Sequence, residues 1–366
     1  MVKKMKRIKL FDPDIGKEEA SAVKNTLYSK FWASGAGNGK VLEFENDFCE
    51  YTKSTKCIAV NSGTAALHLT LSLFDIKNKE VILPSLSFVS TAHAILYNGG
   101  IPIFADVKKD TLCLDPESVE KKITTKTRMI LPVHFGGFPC DMKQFLNIKK
   151  QNKIILVEDA AHAAGANYKN KKIGEISDAV CFSFHPVKNL AMPAGGAITL
   201  NGGKVKQNEK ILKSKRWCGI TNRKGIEYDV SYLGLNYYMT EFSAAIGIIQ
   251  LKKLDKMNEK RREIAKFYNN RIKTNKKIPF NSDCSYHLYW ILVKNRKELI
   301  KKMNENGIEV GTHYNPIHKM KFYKNKLKLP VTDKISTSIV TIPIHPNLTK
   351  ENMDKIVKLI NKYAKF

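Results

Sequence analysis

Between Cys57 and Leu200 the chain alternates short apolar runs with segments of helical spacing, and that alternation leaves few architectures open. The runs are CIAV (57–60), EVILP (80–84), IPIFADV (101–107), RMILPV (128–133), KIILVED (153–159), AVCFSF (179–184) and GAITL (196–200). Strands that are apolar on both faces must be covered on both faces. Separated by helices, they predict an α/β fold with a mostly parallel central sheet between helical layers. Ahead of them, GKEEASAVKNTLYS and KVLEFENDFCEYTKS make residues 16–53 mainly helical. After residue 200 the pattern fades. A long amphipathic helix is expected over 240–272 with Thr240 as its N-cap. A strand-like YHLYWILV (286–293), a helix over 296–307 and a closing helix over 350–363 follow. Length alone suggests about two or three domains. The boundary is expected near residue 250, giving a large domain over 1–250 and a smaller C-terminal α+β domain over 251–366.

Composition serves mainly to exclude. The 62 basic residues against 34 acidic ones, a net charge of +28, would suit a nucleic-acid binder. Only eight of the 62 are arginine, the side chain suited to bidentate phosphate and guanine contacts, and the lysines are spread along the chain. A lysine-biased surface that steers small anionic ligands is the better account, with no nucleic acid as partner. No run approaches the ~18 apolar residues of a membrane span, and the basic start has no apolar core behind it. Seven scattered cysteines without a C-x-x-C fit reduced thiols in a cytosol, with neither disulfides nor a metal site.

Ligands of open α/β sheets bind where the carboxyl ends of the strands meet the loops, and four features collect there. NSGTAALHLTL follows CIAV, so Gly63 and Thr64 begin a helix whose free amides suit a phosphate, although an ordinary N-cap would read the same way. Asp159 ends KIILVED, where a buried carboxylate needs a partner: a helix N-cap, or the protonated ring nitrogen of a cofactor. Phe88 lies just past EVILP, placed for the core or to stack on a flat ring. Ser183 and Lys188 lie in SFHPVKNLAMPAGG, where a partly dry lysine becomes a nucleophile able to form a Schiff base. Together they describe a pocket for a phosphate, a flat ring with a basic nitrogen and an aldehyde. Pyridoxal 5′-phosphate (PLP) has all three.

Several longer stretches add a resemblance. NSGTAALHL, LPSLSFVSTAHAILYNGGIPIFADV, LPVHFGGFPCDM, VEDAAHAAGA, SFHPVKN, LGLNYYMTEFSAAIGIIQL, GTHYNPIH and TIPIHPNLT occur in this order over nearly the whole length. The chain resembles the sugar aminotransferases of the DegT/StrS group, which have the PLP-dependent transferase fold of type I. The resemblance implies that Lys188 binds PLP covalently and shuttles the proton. By the same resemblance Asp159 pairs with the ring nitrogen, Phe88 stacks on the ring and His162 sits against it. Gly63, Thr64 and Ser183 would hold the phosphate, and Asn236 would reach it from the neighbouring subunit of a homodimer with shared sites. His185, His313 and Tyr314 resemble positions near a bound nucleotide sugar. The implied reaction passes an amino group from an amino acid, usually glutamate, to a keto group on a nucleotide-linked deoxysugar, in the cytoplasm, for amino-sugar or surface-glycan biosynthesis.

Two positions depart from the family pattern: Tyr238 stands where arginine is usual, and Ala194 where an acidic residue precedes the paired glycines. Both bear on how the loops meet the sugar. The SFHPVK loop with His185, and His162 after EDAA, resemble members that aminate C4 of a 4-keto-6-deoxy sugar rather than C3. A PLP-binding sensor of the same fold is the non-enzymatic alternative, opposed by the intact pair of Lys188 and Asp159. GAGNG (35–39) lacks the spacing of a dinucleotide loop and is set aside. Read from the residues alone, His134, His185 and His318 are each better explained as surface or core histidines than as catalytic groups.

Overall fold

Each of the seven apolar runs is a strand of one sheet. They are β1 (Lys56–Val60), β2 (Glu80–Pro84), β3 (Ile101–Ala105), β4 (Thr127–Ile130), β5 (Ile155–Asp159), β6 (Ala179–Ser183) and β7 (Gly196–Leu200). The computed structural model describes residues 7–323 and 326–366; the basic start at residues 1–6 lies outside them. The spatial order is β1-β7-β6-β5-β4-β2-β3. Only β7 runs against its neighbours; the remaining pairs are parallel. The strand period of two sends adjacent residues to opposite faces. Leu156 and Val157 on β5 accordingly enter two different buried clusters. One face is covered by the helices Gly63–Leu71, Ser90–Tyr97 and Val205–Arg216, the other by Lys40–Thr52, Met142–Asn152 and the long helix.

Strand ends fall short of the sequence expectation where the backbone has other work. β3 stops at Ala105 because the carboxylate of Asp106 accepts the Val331 and Thr332 amides (2.9 and 2.8 Å), the start of helix Pro330–Ser338. β4 stops at Ile130, ahead of Pro132, which has no N–H for a ladder; Val133 still bridges Asp159. The helical stretch at 16–53 is two helices, Lys17–Ser29 and Lys40–Thr52, broken by the glycine-rich loop. There Gly37 and Gly39 hold φ of +71° and +66°, a region that favours glycine.

The long helix is Glu241–Arg271, and the Thr240 hydroxyl accepts the Ser243 amide at 3.3 Å, as expected for its N-cap. Its first half packs against Phe44, Phe48 and Phe182, its second against Tyr289, Trp290 and Val340. The C-terminal part holds an antiparallel pair, Tyr289–Leu292 with Ile339–Ile342, under the helices Arg296–Glu305 and Lys350–Tyr363. The first of these strands begins later than YHLYWILV suggested, since Tyr286 has φ +46°. The hairpin Ile220–Lys224/Glu227–Val230 was not legible: its residues are largely exposed and follow no burial period. Among the described residues no helix is long and apolar enough to cross a membrane.

A buried ion pair ties the entry to β1. Arg216 Nη1 donates to Glu45 Oε1 at 2.5 Å and to the Ala59 carbonyl at 2.8 Å, while Glu45 Oε1 also accepts the Ala59 amide at 2.8 Å. Both side chains are almost wholly out of solvent. Removing one partner strands the other charge in the interior, so Glu45→Ala should cost about 3–5 kcal/mol. Denaturant unfolding will check this; a loss below about 1 kcal/mol would place the pair at a wet surface.

Candidate active site

The carboxyl ends of β1, β5 and β6 meet at one edge of the sheet. Val60 at the end of β1 and Ser183 at the end of β6 both pair with Gly196 at the start of β7. That register brings the first turn of helix Gly63–Leu71 against β6. A Cβ placed on Gly63 would lie 2.7 Å from Ser183 Cβ, so the approach requires glycine. The Ser62 hydroxyl caps the helix by accepting the Ala65 amide at 3.1 Å, and the Ser62 carbonyl takes the Ala66 amide. The preceding amides, on Gly63 and Thr64, are left for a ligand. Thr64 Oγ1 lies 2.7 Å from Ser90 Oγ.

These groups open on a cavity of about 460 Å³. Of the expected site residues, Gly63, Thr64, Phe88, Asp159, His162, Ser183, His185, Lys188, His313 and Tyr314 all line it. Asn236 does not: its side chain is exposed, and its carbonyl accepts Asn61 Nδ2 at 3.3 Å. Thr91, Ser90 and Phe11 line the cavity without having been singled out in the sequence. Thr91 was legible in principle, three residues from Phe88 on a helical start. Phe11 carries no local signal.

Asp159 is 3% exposed and is not followed by a helix. Its Oδ2 accepts from Thr91 Oγ1 at 2.8 Å and its Oδ1 from the Ala161 amide at 3.1 Å. Burial pushes its pKa up, against the opposing pull of those donors and of Lys188. Burial likewise lowers the Lys188 amine to about 8, against the attraction of Asp159. His162 Nδ1 accepts the Gly136 N–H at 3.2 Å, which leaves the ring proton on Nε2, 3.1 Å from Tyr314 Oη. Burial, and then Lys188 and His313, hold His162 well below the usual histidine range. His313 falls to about 4 through burial and Lys188. Phe88 is 57% exposed at the mouth, its ring centroid 6.1 Å from that of Tyr314.

The residues present fit PLP. Asp159 is a buried carboxylate whose hydrogen-bond donors are both neutral, so a protonated ring nitrogen would complete it. The Gly63–Thr64 amides with the Thr64 and Ser183 hydroxyls form a donor set for a phosphate, and Lys188 supplies a partly neutral amine. Among the described residues no group of three or more His, Cys, Asp or Glu could hold a metal ion.

A family model described as the DegT/DnrJ/EryC1/StrS aminotransferase family matches residues 13–361. An uncharacterized protein of Methanocaldococcus jannaschii is 34% identical, with 96% of each chain covered. The aminotransferase PseC of Helicobacter pylori, involved in pseudoaminic acid biosynthesis, superposes with a TM-score of 0.91 at 29% identity, over 98% of this chain and 99% of its own. A Streptococcus pneumoniae protein assigned as a sugar aminotransferase, solved in a PMP form, gives 0.92 at 28% identity over 97% of each chain.

A lysine lowered to about 8 has a distinct signature. In the cofactor-free protein, the acylation rate of Lys188 should rise with pH and level off above about 8, whereas solvated lysines keep accelerating to about 10.4. Peptide mapping after brief labelling measures this; a Lys188 midpoint near 10 would mean that the amine is solvated.

Proposed function

The chain belongs to the DegT/DnrJ/EryC1/StrS aminotransferase family, and from that premise we propose its substrate and the work of each site residue. It is a PLP-dependent aminotransferase. Its donor is an amino acid, glutamate, and its acceptor a nucleoside-diphosphate-linked 4-keto-6-deoxy sugar, aminated at C4. The observation that carries this reading is the facing pair in one cavity: a buried Asp159 carboxylate with only neutral hydrogen-bond donors, and a Lys188 amine lowered by burial. The SFHPVK loop and His162 after EDAA support C4 over C3, and PseC's part in making an amino sugar agrees with the product class. The reaction belongs in the cytoplasm, in the supply of amino sugars for lipopolysaccharide or other surface polysaccharides.

Bound here, PLP supplies an electron sink for the carbanion left when the substrate loses a proton. Asp159 keeps the ring nitrogen protonated. Lys188 Nζ would hold the cofactor covalently and, once displaced by the substrate's amine, would take the proton from one carbon and return it to another; near neutral pH a pKa of about 8 suits the base. Gly63, Thr64 and Ser183 take the phosphate and Phe88 covers the ring. His162, neutral and bonded to Tyr314, sits against the ring without adding charge. His185, His313 and Tyr314 face the sugar. The large domain, 1–250, builds the cavity floor, and the small one, 251–366, contributes His313 and Tyr314.

The purified protein should absorb in the visible, and borohydride should fix the cofactor to the Lys188 peptide. Glutamate should bleach it, and one of a panel of UDP-, GDP- and dTDP-linked keto sugars should restore it. Restoration by a simple keto acid and by none of the panel would overturn the nucleotide-sugar acceptor. Asp159→Asn should fold and bind PLP yet turn over at least about 10²-fold more slowly. Near-normal turnover would reduce Asp159 to a turn residue.

The family resemblance assigns Asn236 to a partner's cavity, and its position outside its own supports that reading. Closed twofold dimers have two equivalent sites. In a mixed dimer of Lys188→Ala with Asn236→Ala, one site collects both defects and the other neither. If each variant is inactive alone, co-refolding equal amounts should return roughly a quarter of wild-type activity, since half the dimers are mixed and half their sites intact. Verified mixed dimers without activity would put Asn236 to work in its own subunit.

A further inference from the structure

A cavity of about 460 Å³ takes a cofactor and the sugar, but a nucleotide sugar carries its base further out. Two segments run from the cavity lining to a common aromatic cluster. Helix Ser90–Tyr97 touches the cavity with Ser90 and Thr91 and places His93 three residues beyond Ser90, about 4.5 Å along its axis. The other segment leaves at His313 and Tyr314. It is pinned where the Ile317 amide meets the Ser85 carbonyl (2.9 Å) and the His318 amide meets Ser85 Oγ (3.0 Å), and it arrives at Phe322 and Tyr323. There Tyr323 stacks on His93, with centroids 5.7 Å apart and an interplanar angle of 24°, and meets Phe104 edge-on at 5.9 Å. Phe322 stands edge-on to both rings, 5.1 Å from Tyr323 and 6.2 Å from His93, and is itself 77% exposed. Lys321, next to it, is exposed and makes no ion pair among the described residues.

A single exposed phenylalanine is ordinary. This one has a two-ring support, a neighbouring cation that makes no ion pair among the described residues, and contact with His93, three residues along its helix from the cavity-lining Ser90. We propose that Phe322, braced by His93 and Tyr323, is the stacking face for the nucleobase of the nucleoside-diphosphate sugar, and that Lys321 meets the diphosphate. The inference rests on the nucleotide-sugar reading of the site. Stacking accepts any base, because each has a π-face. Phe322 therefore contributes to binding before chemistry, and its loss should raise KM with kcat little changed.

The test uses UDP, GDP and dTDP as probes, titrated calorimetrically into the PLP-loaded protein. Phe322→Ala should weaken UDP binding roughly 10- to 100-fold, the loss of one base–aromatic stack, and Phe322→Trp should restore it. Lys321→Gln should weaken UDP but not uridine. The glutamate half of the reaction, which involves no base, reports separately whether the active site is intact. Unchanged UDP affinity in Phe322→Ala overturns the stacking face, as does a wild-type protein that binds none of the three diphosphates. Equal losses for UDP and uridine in Lys321→Gln overturn the phosphate contact. A wild-type protein that binds UDP through Phe322 but aminates no nucleotide sugar would support the stacking face and overturn the proposed reaction.

Discussion

The site depends on one carboxylate that the protein does not finish neutralising. Two acidic side chains end β5, and the strand period sends them to opposite faces. Glu158 is answered wholly from within: His134 Nε2 lies 2.7 Å from its Oε2, and the Ser177 amide donates to Oε1 at 3.2 Å. Asp159 is as dry but receives only a threonine hydroxyl and one amide. Burying a charge without a cationic partner is unfavourable. The sheet tolerates it at a strand end, where one side is open to the cavity. The contrast between neighbours, one answered and one waiting, separates a structural acid from a candidate ligand-binding one.

Holding the opposing groups in place takes segments far apart in sequence. Asn189, next to Lys188, donates from Nδ2 to Asn258 Oδ1 on the long helix (2.8 Å) and to the Ser285 carbonyl (2.7 Å). Ser285 Oγ in turn donates to the His162 carbonyl at 3.0 Å, and the Ser285 amide to Gly137. One buried network thus joins the Lys188 loop, the His162 loop, the long helix and the C-terminal part. His162 is clamped again through its ring, between the Gly136 amide and Tyr314. The Lys188 loop and His162 are therefore fixed relative to each other by one hydrogen-bonded network.

Legibility followed the range of the interactions. All seven sheet strands were visible because burial on both faces writes a local apolar run, and the strand ends carrying Asp159 and Ser183, with Lys188 in the loop after Ser183, were marked by the loops that follow. The two long-helix ends were visible because Thr240 is a local cap and the apolar stripe is periodic. Helix Pro330–Ser338 was not, since the carboxylate that receives its first amides belongs to Asp106, more than two hundred residues away. Phe11 was hidden for the same reason: it reaches the cavity by packing on His287 and His313, partners from the other end of the chain. The hairpin near residue 225 buries little of itself, so no period betrays it.

Three histidines, His162 and His313 lining the cavity and His287 packed against His162, decide how its charge is read. His162, His287 and His313 are all pushed down by burial, with Lys188 adding to the effect in each. They stay neutral near physiological pH and act through shape and single hydrogen bonds: His287 stacks on Phe11 with centroids 5.4 Å apart, and His313 Nδ1 lies 2.8 Å from Thr341 Oγ1. Were they charged, Lys188 would be lowered further by repulsion. Their neutrality leaves Asp159 without a cationic hydrogen-bond donor and Lys188 as a base of intermediate strength. The pairing of carboxylate and amine therefore rests on keeping these aromatic neighbours dry.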